Sequence, residues 1–255
     1  MRRSGKITST VLTGLMKAAR PGMTTGELDA MAERGIREAG GIPTFKGYNG
    51  FTGSICASVN EEVVHGIPGS RILHDGDLLS IDIGTTLDGY VSDSAVTIPI
   101  GNVPQAALHL LEVTRECLTV GVAEMVRGKH VGDIGAAVQA HAERHGFGVV
   151  RELVGHGVGR AMHEEPQVPN YGKPGTGMEL RPGLVLAVEP MITQGAPAVR
   201  ILGDGWTVVT ADGKLAAHFE HTIAVTEDGP KILTLRGYAE HPETERFRPG
   251  REALA

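Results

Sequence analysis

The stretch from Leu78 to Thr97, LLSIDIGTTLDGYVSDSAVT, constrains the fold of this 255-residue chain more than any other. Apolar residues alternate with small or polar residues over positions 79–84, which is the period of a β-strand with one buried face. Asp88-Gly89 then predicts a two-residue hairpin turn, because both central positions of a type I′ turn need positive φ. The sequence therefore predicts two antiparallel strands joined at residues 88 and 89.

Pairing around this turn brings two carboxylates together. Leu87 then faces Tyr90 and Asp82 faces Ala95, so Asp93 lies diagonal to Asp82 on the same face. Two carboxylates inside an apolar sheet repel each other, and a bound cation would remove that cost. The alternative is an exposed edge hairpin with two solvent-facing aspartates, and the hairpin alone does not decide between these interpretations.

Composition excludes several classes of protein. The formal net charge of -6 gives no electrostatic case for binding nucleic acid or an anionic membrane. We find no signal peptide and no apolar run long enough to cross a bilayer. The two cysteines, Cys56 and Cys117, fit neither a metal-ligand spacing nor a disulfide framework. These features predict a cytoplasmic protein. The length fits one large domain or two small, closely packed ones, and we expect one domain over residues 1–236, followed by a loose polar tail at 237–255.

Periodic patterns predict a mixture of helices and strands. Thr24 and Glu27 have the spacing of a capping box, which predicts the start of a helix. Helices are expected at residues 5–19, 24–40, 104–126 and 132–145. A glycine-rich, strand-like region is expected at 44–68, and further strands are expected at 148–154, 184–189, 206–210, 216–225 and 231–235.

An internal repeat is visible at two places. The segment beginning Gly26-Glu27-Leu28 matches the one beginning Gly132-Asp133-Ile134, an offset of 106 residues. The segment GDLLSID at 76–82 matches GLVLAVE at 183–189, an offset of 107 residues. Chance similarity of amphipathic helices is the alternative, but the near-constant offset favours a duplication with halves at about 5–103 and 104–236. Glu189 is then the counterpart of Asp82.

Three further segments carry candidates for chemistry. Residues 155–166, GHGVGRAMHEEP, place His156 and His163 in a glycine-rich loop, where backbone can crowd close to a site. VEP places Glu189 at the end of an apolar strand, and FEHTIAV places Glu220 at the start of another. Each glutamate alone would more often be a surface residue, and a single histidine would more often be structural.

Together these motifs resemble those of the type I methionine aminopeptidases, which are metallopeptidases of the pita-bread fold. The resemblance covers roughly residues 5–236 and follows the family's order. It runs through VNEEVVHGIP (59–68), SIDIG (80–84), DGYVSDSA (88–95), GHGVGRAMHEEPQV (155–168), VEPM (188–191), DGWTV (204–208) and FEHTIAV (219–225). It implies an α+β fold in which two pseudo-symmetric halves surround a curved antiparallel sheet.

The resemblance also implies a ligand set for metal ions: Asp82, Asp93, His156, Glu189 and Glu220. Four carboxylates and one neutral imidazole carry a charge of -4, which two divalent cations neutralise. Asp93 and Glu220 are the expected bridging ligands. Oxygen-rich ligation with one imidazole suits Mn, Fe or Co as well as Zn.

The mechanism implied by the resemblance is hydrolysis of the first peptide bond. A hydroxide that bridges the two ions attacks the carbonyl carbon, and Glu189 carries the proton to the leaving amine. His163 is expected to stabilise the developing oxyanion, and His65 to hold the scissile amide.

The resemblance implies a methionine pocket lined by Tyr48, Phe51, Cys56, Met162 and Trp206. Apolar side chains with soft sulfur atoms suit a thioether. The chain departs from many relatives at three positions. Phe45 stands where some carry a second cysteine, Asn49 where many have histidine and Thr52 where many have proline. These departures concern fine substrate preference rather than metal chemistry.

The expected substrates are peptides and nascent chains that begin with methionine, and the family is usually monomeric. Nascent-chain substrates imply a transient ribosome contact, for which the sequence carries no signal of its own. An Xaa-Pro peptidase of the same fold usually has a large N-terminal domain, whereas this sequence is expected to begin almost directly at the catalytic domain. A type II methionine enzyme usually has a helical insert, and no such insert fits between His163 and Glu220. A binding protein on an inactive scaffold typically loses ligands, whereas all five ligand positions are kept here.

Overall fold

Four helices are described in the computed structural model, which covers residues 1–236. The tail predicted at 237–255 lies outside the described residues. The helices are α1 (Arg2–Ala18), α2 (Thr25–Glu38), α3 (Gln105–Ala123) and α4 (Val131–Arg144). The four helices predicted from periodicity are therefore confirmed, with ends that differ by a few residues. None of the helices within residues 1–236 has the length and apolar character needed to span a membrane.

The starts of α2 and α4 are capped at equivalent positions of the repeat. The Glu27 carboxylate accepts a hydrogen bond from the Thr24 N–H at 2.7 Å, and the Thr24 hydroxyl accepts one from the Glu27 N–H at 3.1 Å. In α4 the Asp133 carboxylate accepts a hydrogen bond from the His130 N–H at 2.7 Å. These carboxylates satisfy N–H groups that have no partner inside the helix.

The strands form four sheets, and every described strand pairing is antiparallel. In chain order they are β1 (Ile42–Pro43), β2 (Ile55–Val59), β3 (Glu62–Val64), β4 (Leu78–Leu87), β5 (Tyr90–Pro99), β6 (Gly148–Val149), β7 (Gly155–Gly157), β8 (Glu164–Val168), β9 (Val185–Val188), β10 (Met191–Thr193), β11 (Val199–Ile201), β12 (Val208–Thr210), β13 (Ala216–His218), β14 (His221–Thr226) and β15 (Gly229–Ile232). A short 3₁₀ turn covers Tyr48–Gly50.

The hairpin of β4 and β5 has the predicted register. The strands pair without a break from Leu78 opposite Pro99 to Leu87 opposite Tyr90. Asp88 and Gly89 have φ values of 51° and 74°, as a type I′ turn requires. Asp82 is opposite Ala95 and Asp93 is opposite Gly84, so the diagonal placement of the two carboxylates is confirmed.

The strands that follow the second helix pair are arranged like those that follow the first. β4 lies between β2 and β5, and β9 lies between β7 and β14. Leucine and isoleucine side chains from helices and strands of both sets meet in one buried core, which includes Leu12, Ile81, Leu110 and Leu186. Burial of each such side chain contributes about 1.5–3 kcal/mol to stability. The helices therefore hold in place the sheets that carry the predicted metal ligands.

Several predicted strands differ in extent. The strand expected at 148–154 is only β6, and the one expected at 216–225 is divided into β13 and β14. The division falls at Phe219 and Glu220, because the Glu220 N–H donates a hydrogen bond to the Ala95 carbonyl at 3.0 Å instead of continuing either ladder. Residues 44–54 form turns rather than strand.

His156 lies in a strand rather than in the expected loop. It is the central residue of β7, and Gly155 and Gly157 stand on either side of it. A Cβ atom on Gly155 would collide with the Ala187 carbonyl, and one on Gly157 would collide with the Glu165 carbonyl. The glycines therefore allow the neighbouring strands to approach β7 closely.

Candidate metal centre and substrate pocket

The twelve residues predicted for the site all line a single cavity of about 290 Å³. They come from segments between residues 48 and 220. The cavity contains Asp82, Asp93, His156, Glu189, Glu220, His65, His163, Tyr48, Phe51, Cys56, Met162 and Trp206. The carboxylates lie around His156, and a further group belongs to one apolar cluster, so we describe the carboxylate side and the apolar side in turn.

The five predicted metal ligands lie in, or directly next to, five different strands. Asp82 is in β4, Asp93 in β5 and His156 in β7, whereas Glu189 follows β9 and Glu220 precedes β14. The fold therefore brings together carboxylates that are widely separated in the sequence.

Hydrogen bonds between β5 and β14 hold two of these carboxylates in place. The Asp93 N–H donates to the Thr222 hydroxyl oxygen at 2.8 Å, and that hydroxyl donates to the Asp93 carbonyl at 2.8 Å. The Ser94 hydroxyl donates to the Glu220 carbonyl at 2.8 Å. Because these bonds join residues more than 100 positions apart, they fix Asp93 beside Glu220.

His156 faces the carboxylates through one ring nitrogen. Its Nδ1 lies 2.9 Å from the Gly157 carbonyl oxygen, which can only accept, so Nδ1 carries the proton. Nε2 is then unprotonated and has a lone pair that can bind a metal ion. It lies 3.5 Å from Glu189 Oε1 and 4.0 Å from Asp93 Oδ2. One donor atom each from Asp93, His156 and Glu220 lies within 4.8 Å of the other two. This tautomer is the one that binds a metal ion.

The carboxylates have the properties of a ligand set. Asp82 Oδ1, Asp93 Oδ1 and Glu220 Oε1 are buried and have no hydrogen-bond partner. Burial raises the pKa of Asp82 to about 6 and that of Glu189 to about 7. The pKa values of Asp93 and Glu220 are raised well above the usual range, mainly by burial and further by repulsion from the neighbouring carboxylates. Unpaired buried carboxylate oxygens are costly unless cations balance them, so these residues fit divalent metal ions.

The two predicted catalytic histidines lie outside the carboxylate cluster. His163 is exposed, and its Nδ1 is 2.7 Å from the Tyr48 hydroxyl oxygen. The centres of the His163 and His156 rings are 4.3 Å apart. Burial lowers the pKa of His65 to about 4, so this imidazole is neutral at pH 7.

The apolar side of the cavity begins directly beside the carboxylates. Cys56 is paired with Asp82 across β2 and β4, so the two side chains share a face. Burial and the nearby carboxylates raise the pKa of Cys56 well above its usual value, and the group therefore stays a thiol. Phe51 and Met162 are buried in the same cluster, and the Phe51 ring packs edge-on to Trp206 with centres 5.1 Å apart.

Two of the three positions that depart from relatives also line this cavity. Phe45 packs into the apolar cluster, and Asn49 has a positive φ of 48° in the 3₁₀ turn. Asparagine tolerates this backbone conformation better than most residues do. Thr52 is not among the lining residues.

The sequence interpretation missed His218. This residue is 1% exposed, and its Nε2 lies 3.6 Å from Glu189 Oε2. Neither of its ring nitrogens has a hydrogen-bond partner among the described residues. Burial lowers the pKa of His218, which favours the neutral ring. The position of His218, two residues before Glu220, could have indicated that it belongs to the site. The break between β13 and β14 lies between these two residues, so the strand period does not predict which face His218 occupies.

Comparison with known proteins identifies the class to which this chain belongs. Residues 1–227 match the model of metallopeptidase family M24, and the chain is a member of that family. It is 56% identical to methionine aminopeptidase 1 of Bacillus subtilis (strain 168), over 92% of this chain and 94% of that protein. The resemblance inferred from the motifs is thus confirmed.

Solved structures confirm the fold. The crystal structure of a methionine aminopeptidase from Thermotoga maritima matches with a TM-score of 0.91 and 43% identity, covering 92% of this chain and 94% of that one. A prolidase from Pyrococcus furiosus matches with a TM-score of 0.73 and 19% identity, covering 92% of this chain and 63% of that one. The second match shows a shared fold alone. The predicted α+β pita-bread architecture is correct.

Proposed function

We propose that this chain is a metal-dependent aminopeptidase that removes the N-terminal methionine from peptides and nascent proteins. The observation that carries the proposal is one cavity with a carboxylate-rich side and a sulfur-containing apolar side. Relatives that cover almost the whole chain are methionine aminopeptidases, so the activity and the pocket point to the same substrate.

Asp82, Asp93, His156, Glu189 and Glu220 would hold two divalent ions, because four negative charges call for two such cations. Three orphaned oxygens in the cluster support this assignment. Oxygen-rich ligands suit Co, Mn, Fe or Zn. When bound, such ions supply hydroxide at neutral pH and polarise a carbonyl group.

The surrounding residues supply proton transfer and hydrogen bonding. Glu189 would carry the proton to the leaving amine, since its carboxylate lies in the cavity among the other candidate ligands, with Oε1 3.5 Å from His156 Nε2. If the Tyr48 hydroxyl donates to Nδ1 of His163, then Nε2 of His163 bears a proton and can donate to the substrate carbonyl oxygen. His65 is neutral and would hydrogen-bond the scissile amide.

The apolar side would select methionine. Phe51, Cys56 and Met162 are buried there, and Tyr48 and Trp206 pack against them. The polarizable thioether of methionine makes favourable contacts with aromatic rings and sulfur. A charged first residue would lose its hydration without gaining a partner on this apolar surface.

The proposal extends to the organisation and location of the enzyme. Residues 1–236 would form the catalytic unit, since site residues come from both copies of the repeat. We place the enzyme in the cytoplasm as a monomer that reaches nascent chains through transient ribosome contact, as expected from the family.

The test is turnover of Met-Ala-Ser against an Xaa-Pro tripeptide, before and after chelation. We expect the methionyl peptide to be cleaved, the activity to disappear with chelator, and Mn, Co, Fe or Zn to restore it. Preferred cleavage of the Xaa-Pro peptide would assign the related activity instead. Inactivity with all four metals would favour a binding protein on a catalytically inactive scaffold.

A further inference from the structure

We propose that Glu116, His141 and His145 form a second divalent-metal site on the outer face of α3 and α4, suited to zinc. None of the three residues lines the catalytic cavity. The proposal therefore concerns an ion that is separate from those in the proposed catalytic centre.

The donor atoms are already gathered. One ligand atom from each residue lies within 4.8 Å of the other two. His141 Nε2 is 2.8 Å from Glu116 Oε2, and the His141 and His145 ring centres are 4.9 Å apart. The two histidines are four positions apart at the end of α4, so they project from the same side of the helix.

The arrangement leaves room for a cation. Around a tetrahedral zinc ion with bonds of about 2.1 Å, neighbouring donor atoms are about 3.4 Å apart. Because no two of the ligand atoms are more than 4.8 Å apart, the wider separations must close by about 1.4 Å at most, and the hydrogen-bonded pair of Glu116 and His141, at 2.8 Å, must open by about 0.6 Å. Rotation of the exposed His145 side chain and of the half-buried Glu116 side chain can supply these shifts. His145 is exposed, so solvent can supply a water ligand at the fourth position.

The Glu116–His141 hydrogen bond alone does not account for the cluster. The His145 ring contacts the rings of His141 and His109, whose centres are 4.9 Å and 5.6 Å away, but within residues 1–236 it makes no hydrogen bond. His109 in turn packs against Phe147. The imidazole of His145 is thus positioned beside a carboxylate–imidazole pair with its donor atoms free.

Two imidazoles and one carboxylate are a ligand set that binds zinc with one open position. Glu116 belongs to α3 and both histidines to α4 and its C-terminal cap. A bound ion would therefore join the two helices and stabilise their packing, because a ligand that binds only the folded state stabilises that state.

The test is zinc binding by the metal-free full-length protein, measured by equilibrium dialysis with metal analysis. Wild type should bind one more zinc ion per chain than His145→Ala, or bind that ion at least about tenfold more tightly, in line with losses seen at metal sites. Glu116→Gln should behave like His145→Ala. The matched control His74→Ala removes an exposed histidine outside both sites and should bind as wild type does.

Two further measurements separate this site from the catalytic one. His145→Ala should keep its cleavage of Met-Ala-Ser and its far-UV circular dichroism. Asp93→Asn should lose catalytic metal but keep the ion whose binding depends on His145. Identical zinc isotherms for wild type, His145→Ala and Glu116→Gln would overturn the proposal, whatever the outcome for peptidase activity.

Discussion

The hairpin of β4 and β5 and the pair of β9 and β14 present carboxylates to the same cavity in different ways. In the hairpin, Asp82 and Asp93 stand inside two ten-residue strands with unbroken pairing. In the second pair, the ladder runs only from Val188 opposite His221 to Val185 opposite Ala224. Glu189 and Glu220 lie just beyond its end.

This difference shows how side-chain length and backbone support compensate for each other. The shorter aspartates are held by a regular ladder, whereas the longer glutamates reach in from strand ends. Side chains from other parts of the chain hold the backbone of the two glutamates. The Asn170 amide donates to the Glu189 carbonyl at 2.9 Å, and the Ser94 hydroxyl donates to the Glu220 carbonyl.

The largest effect should come from neutralising one carboxylate in either of the two strand pairs. Asp93→Asn and Glu220→Gln should each reduce methionyl-peptide turnover by more than about 100-fold, beyond the range seen for residues behind metal ligands. Metal analysis should show lost ions in both variants. If one variant kept its metal and its activity, the two strand pairs would not contribute equally to the metal centre.

Two exposed residues supply matched controls for these substitutions. Asp88→Asn makes the same chemical change at the turn of the same hairpin, and Glu227→Gln does so just after β14. Both controls should keep full metal content and turnover.

The next largest effect should distinguish His163 from the ligands. His163→Ala should lower kcat about 100- to 1000-fold, the range for loss of one oxyanion donor, while metal content stays unchanged. Tyr48→Phe should lower kcat by a smaller factor, because the ring of His163 remains but loses its 2.7 Å hydrogen bond. Parallel loss of metal and rate in His163→Ala would make it a ligand.

Proton linkage should make the metal-free protein less stable as pH rises. Burial raises the pKa of Glu189 from 4.5 to about 7 and that of Asp82 from 3.8 to about 6. The folded state then binds protons that the unfolded state has released, so this stability is present at low pH and is lost as pH rises through these folded-state values.

Thermal unfolding of chelated and metal-loaded protein between about pH 5 and 8 measures this effect. The gain in melting temperature on adding metal should grow with pH, because metal replaces the protons on the same carboxylates. A gain that stays constant over this range would contradict the assignment of the buried carboxylates as the ligands.

The smallest effect concerns the contact between the two strand pairs. Thr222→Val should lower the free energy of unfolding by about 1–3 kcal/mol, because it leaves the buried Asp93 N–H without an acceptor. Thr222→Ser keeps the hydroxyl and should retain most of this stability. Urea unfolding compares the two variants, and equal stability would mean that the Thr222 hydroxyl contributes little to joining the pairs.

The same comparison explains what the sequence could predict. The hairpin was predicted down to its register, because alternation and Asp88-Gly89 are local signals. The break at Glu220 was not, since it depends on a hydrogen bond to Ala95, which is distant in sequence. The five predicted ligands were proposed from the resemblance, and the structure brings these residues together in one cavity.

Contacts made only by tertiary packing were beyond the reach of the sequence. The position of His218 against Glu189 follows from the end of β13, a strand that periodicity merged with β14. The Tyr48–His163 hydrogen bond joins residues 115 positions apart, and no spacing rule indicates it. The strand assignment of His156 likewise depends on how closely β8 and β9 approach its glycine neighbours.

The hydrogen bonds between Asp93 and Thr222 span 129 residues. During translation, both aspartates leave the ribosome long before Glu220 is added to the growing polypeptide. A growing chain that has not reached Glu220 therefore contains both aspartates but lacks Glu220 and Thr222, the hydrogen-bond partner of Asp93. The candidate metal centre can therefore close only after synthesis has passed Thr222, late in the chain.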